Sequence, residues 1–562
     1  MDAPLSSRRR SGRRRHRGIA VLPVALVVVA TLAVTPAWAV AESASPANSF
    51  VDSVGVNTHM LYSDTPYGSR FDEVKQRLTE LGVRHIREDL AAERPDQYQR
   101  LNELAAVGIK STLILGDPGN GSTGLEDLTA TVKDRLAGAV DAVEGPNEYS
   151  TRGGSNWRSD LAAYQQSLYA TVKGDPALAS LPVIGPSIVH GDQAALGDIS
   201  SSLDFGNMHS YPDGETPEAN LSSQLSSAAL NSGSKPVMAT ETGYNTAVNS
   251  SSELKPVSEE AMATYIPRLF LEYFSRGVVR TYSYELLDES SEPAQTDPEA
   301  HFGLLRNDLS PKPAFDALRN TIDILSDPGA SFSPEALEYT VGGDQTDLHQ
   351  VLLQKQDGSF YLALWRAESV WDTAGHSSIQ VPPTPVKLQF DRSVSSAQRY
   401  MPNVSAAPLD TVSGHGNSLS LGVGAQVVIL RLEPGEAVGA GRIKFWISRR
   451  SVPPGGRVAI GGCLPSQAMG HSLPVSIQRW QSQERRWQTV GHGRTSRKGT
   501  FHKAIRLSPR RFGRVSRLRV VAQQTQPSRA LQVRIRGSAA EPHVAIGAAA
   551  VVAPEQNPDA TS

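Results

Sequence analysis

LEDLTATVKDRLAGAVDAVEGPNE, residues 125–148, changes its grammar halfway. The first fourteen residues read as a helix. The remainder reads as an apolar strand, stopped by a Gly-Pro break that carries an Asn-Glu pair. The same alternation extends in both directions. Upstream, "VDSVGVNTH" is strand-like, and "FDEVKQRLTELG" puts Phe71, Val74, Leu78 and Leu81 on one helical face before a C-capping glycine. "VRHIRED" is the second strand. "YQRLNELAAVG" repeats Leu101, Leu104 and Ala105 at helical spacing, and "IKSTLILGDP" is the third strand. Downstream come the helix "LAAYQQSLYATV" and the strands "LPVIGPSI", "LDFGNMHSYP" and "KPVMATETGYN". A helix with Ile266, Leu269, Phe270 and Tyr273 on one face follows, then an eighth strand in "VVRTYSYELLDE" and a closing helix in "KPAFDALRNTIDIL". Eight strands alternating with helices predict a (β/α)8 TIM barrel over 46–328. The competing doubly wound sheet lacks its Gly-rich phosphate loop after the first strand.

A barrel turns position into chemistry, because the C-terminal ends of its strands build one face. Asn147 and Glu148 end strand four there, and Glu241 ends strand seven. Two carboxylates facing each other suit glycosidic cleavage. One protonates the leaving oxygen, while the other attacks the anomeric carbon or activates water. Structural ion pairs are the plainer reading of these residues, and Glu144 takes the place of Glu148 if the strand boundary slips. His59 ends strand one. Trp157, in the Gly-rich loop after strand four, could stack on a sugar face. The sequence shows no His/Cys cluster with metal spacing and no serine-nucleophile elbow. This chemistry needs neither a metal nor another cofactor.

The stretches "EGPNE", "HSYP", "ATETGY" and "YELLDE" resemble the clan A glycoside hydrolases, which are retaining (β/α)8 enzymes. The resemblance covers about residues 50–330. It implies Glu148 as acid/base, Glu241 as nucleophile and Asn147 as the partner of the sugar 2-hydroxyl. His209 and Tyr211 match positions that contact the nucleophile and the sugar. Arg87 fits the basic residue that keeps the nucleophile ionised. Many members carry a tryptophan at the end of strand eight, beneath the reacting sugar. Here the chain offers Tyr282 and Tyr284, which puts the substrate class in doubt.

Around the barrel, the N-terminus reads as an export signal over 1–39. Basic "RRRSGRRRHR" precedes apolar "GIAVLPVALVVVATLAV", and "AWA" fits a cleavage site. An uncleaved anchor is the alternative, although the apolar run is short for a span. With the signal removed, the chain is expected to be secreted or wall-associated, with no stable membrane span. The single cysteine, Cys463, excludes an intrachain disulfide. Short alternating segments over 333–434 predict a β-sandwich, in which Trp365 and Trp371 form either core or a carbohydrate patch. Residues 440–538 resemble the Ig-like modules of exported actinobacterial proteins, through a "PGGRV" start and a "G-x-F" hairpin. Between 437 and 540 there are 21 Lys/Arg and one acid, Glu484, whereas 40–436 holds 27 basic and 52 acidic residues. That asymmetry is either a set of solvated strand faces or a docking surface for an anionic wall polymer. No nucleic-acid partner is expected. Residues 539–562 read as a disordered tail. The predicted activity is retaining hydrolysis of a poly- or oligosaccharide. Transglycosylation on the same site, or a non-catalytic wall-binding protein on the same scaffold, are the alternatives.

Overall fold

In the computed structural model, eight parallel strands form one ring: β1 (Val54–Asn57), β2 (His85–Asp89), β3 (Lys110–Ile114), β4 (Val140–Glu144), β5 (Val183–Ile184), β6 (Gly206–His209), β7 (Val237–Thr242) and β8 (Thr281–Ser283). Their order in the sheet is β5-β4-β3-β2-β1-β8-β7-β6, and a parallel bridge between Ile184 and Phe205 joins the two ends. The structure describes residues 40–119, 124–189, 191–394, 396–433, 443–464, 473–481, 486–507, 515–522, 528 and 530–535. The expected signal (1–39) and tail (539–562) lie outside them.

Each strand leads into a helix: α1 (Phe71–Leu81), α2 (Pro95–Ala106), α3 (Leu125–Arg135), α4 (Trp157–Gly174), the one-turn α5 (Gln193–Leu196), α6 (Leu221–Ser232), α7 (Glu259–Ser275) and α8 (Pro313–Leu325). The periodicity that predicts α1 is the one that buries it. Val74, Leu78 and Leu81 face the core, and Gly82 ends the helix in the left-handed region at φ 81°. Barrel strands are covered on both sides, so most of their residues are buried, as in VGVN of β1, and charged ones such as Arg87 in the HIRED of β2 are buried only with partners.

Several elements depart from expectation. Helices α5 and α6 lie where none is expected between strands five, six and seven, and strand eight, expected over 278–289, spans only Thr281–Ser283. The first strand begins only at Val54, because Ala47–Asp52 forms a helical turn that buries Phe50 and Val51. The fifth strand is two residues long. Pro182 and Pro186 flank it, and neither has an N–H to offer a sheet ladder.

The strands after α8 form a two-sheet sandwich. They are β9 (Ala336–Gly343), β10 (Leu348–Gln354), β11 (Phe360–Arg366), β12 (Thr384–Phe390), β13 (Ser396–Met401), β14 (Ser405–Ser413), β15 (Ser418–Val423) and β16 (Val428–Leu432). The sandwich is not continuous in sequence. Val40–Ser43 pairs antiparallel with β9 at the edge of one sheet, and Ser45–Pro46 pairs parallel with β10 at the edge of the other. Segments that precede the barrel therefore complete both sheets.

The sandwich is fastened to α7 and the loops beside it. Pro267 inside α7 has no N–H, so the carbonyl of Ala263 loses its helical donor. Asn403, following β13, donates to that carbonyl at 2.8 Å. Trp365 is fully buried, and its indole N–H reaches Glu218 Oε1 at 2.7 Å; Arg268 also forks onto Glu218. Trp371 donates to the carbonyl of Pro256 at 3.0 Å. Both tryptophans are packing residues of this junction.

A second two-sheet domain follows, with its own apolar core around Val458, Ile460, Ile477, Leu518 and Val533. One sheet runs β17 (Lys444–Ile447), β19 (Arg457–Cys463), β22 (Thr500–Arg506). The other runs β18 (Ser451–Val452), β24 (Leu531–Ile535), β23 (Val515–Ala522), β20 (Pro474–Gln481), β21 (Arg486–Arg494). Among the described residues, no helix is long and apolar enough to cross a membrane.

Candidate active site

Arg87, on β2, is the hub of the barrel mouth. Its side chain is 3% exposed, and all five of its N–H groups have acceptors. Nε and one NH2 hydrogen fork onto Glu144 at 2.7 and 2.8 Å. NH1 donates to Glu241 Oε1 at 2.7 Å and to Asn57 Oδ1 at 3.0 Å, and NH2 also reaches Asn147 Oδ1 at 2.8 Å. One guanidinium thus orients groups from β1, from β4 and the loop after it, and from β7. Burial alone disfavours its charge, but Glu144 and Glu241 outweigh that and hold it protonated. Glu144 is therefore a buried counter-ion beneath the mouth, with Asn207 completing its shell at 2.9 Å.

Glu241, on β7, is 12% exposed at its side chain, and both of its oxygens are engaged. Oε1 takes the Arg87 hydrogen bond, and Oε2 accepts from the Tyr211 hydroxyl at 2.9 Å. His209 Nδ1 lies 3.3 Å from Oε2. Burial raises the Glu241 pKa, but His209, Arg87 and Tyr211 together overcome it. The carboxyl ends below its ordinary value and stays ionised.

Glu148 arrives by a different route. A Cβ on Gly145 would run into Gln165 and the backbone of Pro186, so the chain can turn there only as glycine. Glu148 itself sits in the left-handed region at φ 44°, where a non-glycine residue is strained by about 1–3 kcal/mol. Ser187, after β5, pins this turn: its Oγ accepts from Glu148 N and donates to Asn147 Oδ1, both at 3.0 Å. The turn aims Glu148, 34% exposed at its side chain, at His209, whose Nδ1 stands 2.8 Å from Glu148 Oε1. One oxygen each of Glu148 and Glu241, together with a nitrogen of His209, lie within 4.8 Å of one another. Asn147 Oδ1 already accepts from Arg87 and Ser187, so its amide NH2 is the group it has left to offer.

Arg87, Asn147, Glu148 and Glu241 line a cavity of about 420 Å³, together with His59, Tyr211 and Tyr284. Tyr284, directly after β8, meets Tyr211, Phe302 and His59 edge-on at centroid distances of 6.4, 5.4 and 5.8 Å. It stands where the resemblance leads one to look for a tryptophan. Tyr282 points elsewhere: it is fully buried and bonded to Thr112 at 2.6 Å. Trp157 does not join the cavity. It opens α4 and packs on the cluster of Tyr149, Leu161 and Ile188.

Several site residues carry no signal that sequence reading used. Asn57 and Ser187 sit at or just beyond strand ends, and the positional rule alone could have found them. Glu299 and Phe302 come from the long loop after β8, which has no periodicity to place it. Burial and the nearby charges of Asp297 and Glu241 push the Glu299 carboxyl up. The wall is strongly acidic: Glu88, Asp89, Glu148, Glu241 and Glu299 face it, while the guanidinium of Arg87 is fully committed.

Compared with known protein families and with curated proteins, the chain matches none. Among solved structures it is similar to a glucosidase from Croceicoccus marinus, at 12% identity and a TM-score of 0.47, over 70% of this chain and 97% of that one. It is also similar to the bacterial orthologue of human α-L-iduronidase, at 12% identity and a TM-score of 0.45, over 87% of this chain and 98% of that one. A bifunctional glucanase-xylanase from a metagenome library is similar at 12% identity and 0.45, over 71% and 98%.

Proposed function

We propose that the chain is an exported glycoside hydrolase that cleaves a poly- or oligosaccharide with retention, by double displacement. The observation that carries this reading is the approach of Glu148 and Glu241 oxygens to within 4.8 Å across the cavity, with His209 between them. Carboxyl groups about 5 Å apart suit direct attack on the sugar. An inverting pair stands roughly 6.5–9.5 Å apart to admit a water.

In the first step a Glu241 oxygen attacks the anomeric carbon while Glu148 delivers its proton to the departing glycosidic oxygen. In the second, Glu148 takes a proton from water, which attacks the same carbon and releases Glu241. Arg87 and Tyr211 favour the ionised form of Glu241 that this requires. His209 Nδ1, 2.8 Å from Glu148 Oε1, orients that carboxyl, and Nε2 lies 3.2 Å from Thr240 Oγ1. The Asn147 amide donates to the 2-hydroxyl in this reading, and His59, Tyr211 and Tyr284 supply aromatic rings to the wall.

Glu241→Gln should abolish turnover while leaving sugar binding measurable by calorimetry. Glu148→Gln should slow release of poor leaving groups by about 10²–10⁴-fold. Aryl glycosides, glucuronides among them, followed by NMR of the first anomer formed, test the stereochemistry. Turnover by Glu241→Gln, or an inverted first product, would sink the reading. We assign the basic domain a tethering role on anionic wall polymer. Full-length chain held on an anionic matrix regardless of salt would contradict it.

A further inference from the structure

At the rim of the barrel mouth, three side chains converge without partners. His59, after β1, and Glu285 and Glu289, after β8, bring Nε2, Oε2 and Oε1 within 4.8 Å of one another. His59 Nε2 lies 3.5 Å from Glu285 Oε2 and 3.7 Å from Glu289 Oε1, too far for hydrogen bonds. All three atoms are buried, and none has a hydrogen-bond partner; the other Glu285 oxygen is equally bare. Glu285 is fully buried at 0% exposure, and the buried Tyr67 hydroxyl, also without a partner, belongs to a ring 6.2 Å from His59. Buried polar atoms in a folded protein are almost always satisfied, and a cluster of orphans marks a missing ligand.

Among the described residues, no nearby side-chain cation supplies it. Lys312 is held by Asp288, Thr246 and the His301 carbonyl. Arg70 forks onto Glu73, and Arg87 has spent every donor. We propose that His59, Glu285 and Glu289 form a binding site for one divalent cation of the zinc or manganese type. An imidazole with two carboxylates suits such ions. Zinc holds these ligands at about 2.0–2.2 Å, so the edge of its tetrahedron is about 3.4 Å, close to the two separations seen here. The second group with the right composition, Glu148, His209 and Glu241, does not qualify. Its atoms are hydrogen-bonded to one another and to Arg87, Tyr211 and Thr240, and the Arg87 charge on Glu241 repels a cation. A cation at His59 ties the loop after β1 to the loop after β8. It thereby fixes Tyr284, which His59 meets edge-on, against the catalytic pair.

The test uses full-length, tag-free chain, stripped with a chelator and titrated with ZnCl2 by calorimetry, with bound zinc counted by mass spectrometry. The expected result is one high-affinity equivalent, weakened roughly tenfold or more in Glu285→Gln and Glu289→Gln, and unchanged in Glu241→Gln. Circular dichroism checks each fold. Glu289 is the more exposed ligand, so its variant decides if Glu285→Gln unfolds. No binding by the parent chain overturns the proposal. So does undiminished binding by Glu289→Gln, or binding lost only in Glu241→Gln, which puts the ion on the catalytic pair instead.

Discussion

At the scale of single residues, the mouth of the barrel depends on one buried cation serving several anions. Removing Arg87 strands Glu144, which has 0% exposure, as well as Glu241. Arg87→Met should therefore cost about 3–5 kcal/mol of stability, read by urea unfolding, since the penalty for an unpaired buried charge dominates. Tyr211→Phe removes only a donor to Glu241 and tests something else. The pKa of Glu241 is lowered from 4.5, so the ionised carboxylate proposed as nucleophile persists at acid pH and is lost only as pH falls through that lowered value. Loss of the Tyr211 hydrogen bond should move the acid limb of kcat/KM to higher pH; an unmoved limb would show that Glu241 does not set it. Much of this constellation was legible in the sequence. Asn147, His209, Tyr211 and Glu241 stand at or just beyond strand ends, and a strand end in a barrel has one destination. Arg87, expected at the end of strand two, sits mid-strand, and its long side chain reaches the mouth. Glu285 and Glu289 fell inside the segment read as the eighth strand, which the structure ends at Ser283. Glu299 was not legible, because the loop that carries it obeys no period. Nor was the left-handed backbone of Glu148, which depends on a serine 39 residues away.

At the scale of elements, the helix α7 shows how a local fault is repaired at a distance. Pro267 costs the helix one hydrogen bond, and Asn403 from the sandwich restores a donor to the Ala263 carbonyl. Asn403→Ala should destabilise by about 1 kcal/mol in the parent chain. In a Pro267→Ala background, where the helix supplies its own N–H, the same change should cost less. A double-mutant cycle with no coupling would refute the pairing. The helix α7 was readable, and Ile266, Leu269, Phe270 and Tyr273 are buried. So is every residue from Ala261 to Tyr273, and the single apolar face expected is not what the structure shows. The repair was invisible, since nothing near Pro267 announces a partner 136 residues downstream. Strand five likewise read longer than it is. Its apolar run passes through Pro182 and Pro186, and composition alone does not say where a ladder loses its donors.

At the scale of the whole molecule, both edges added by residues 40–46 matter more than their length suggests. A chain beginning at Ala47 loses the four-residue pairing with β9 and the contact with β10, and should be less stable than one beginning at Val40 by about 2–4 kcal/mol. Equal melting curves would contradict this. The sequence predicted a sandwich over 333–434 but gave no hint of its first members, because pairing across nearly 300 residues leaves no local trace. That arrangement has a consequence for biosynthesis. The barrel is enclosed between two parts of one sandwich, like a purse between the jaws of its clasp. A chain emerging N-terminus first carries one jaw from the outset and must wait for β9 and β10 before it can shut. Translation arrested within the barrel therefore leaves an open seam with bare strand edges, the form most vulnerable to aggregation and proteolysis. Only a chain extended past its barrel can close the clasp, so an intact fold certifies that the barrel has been made in full.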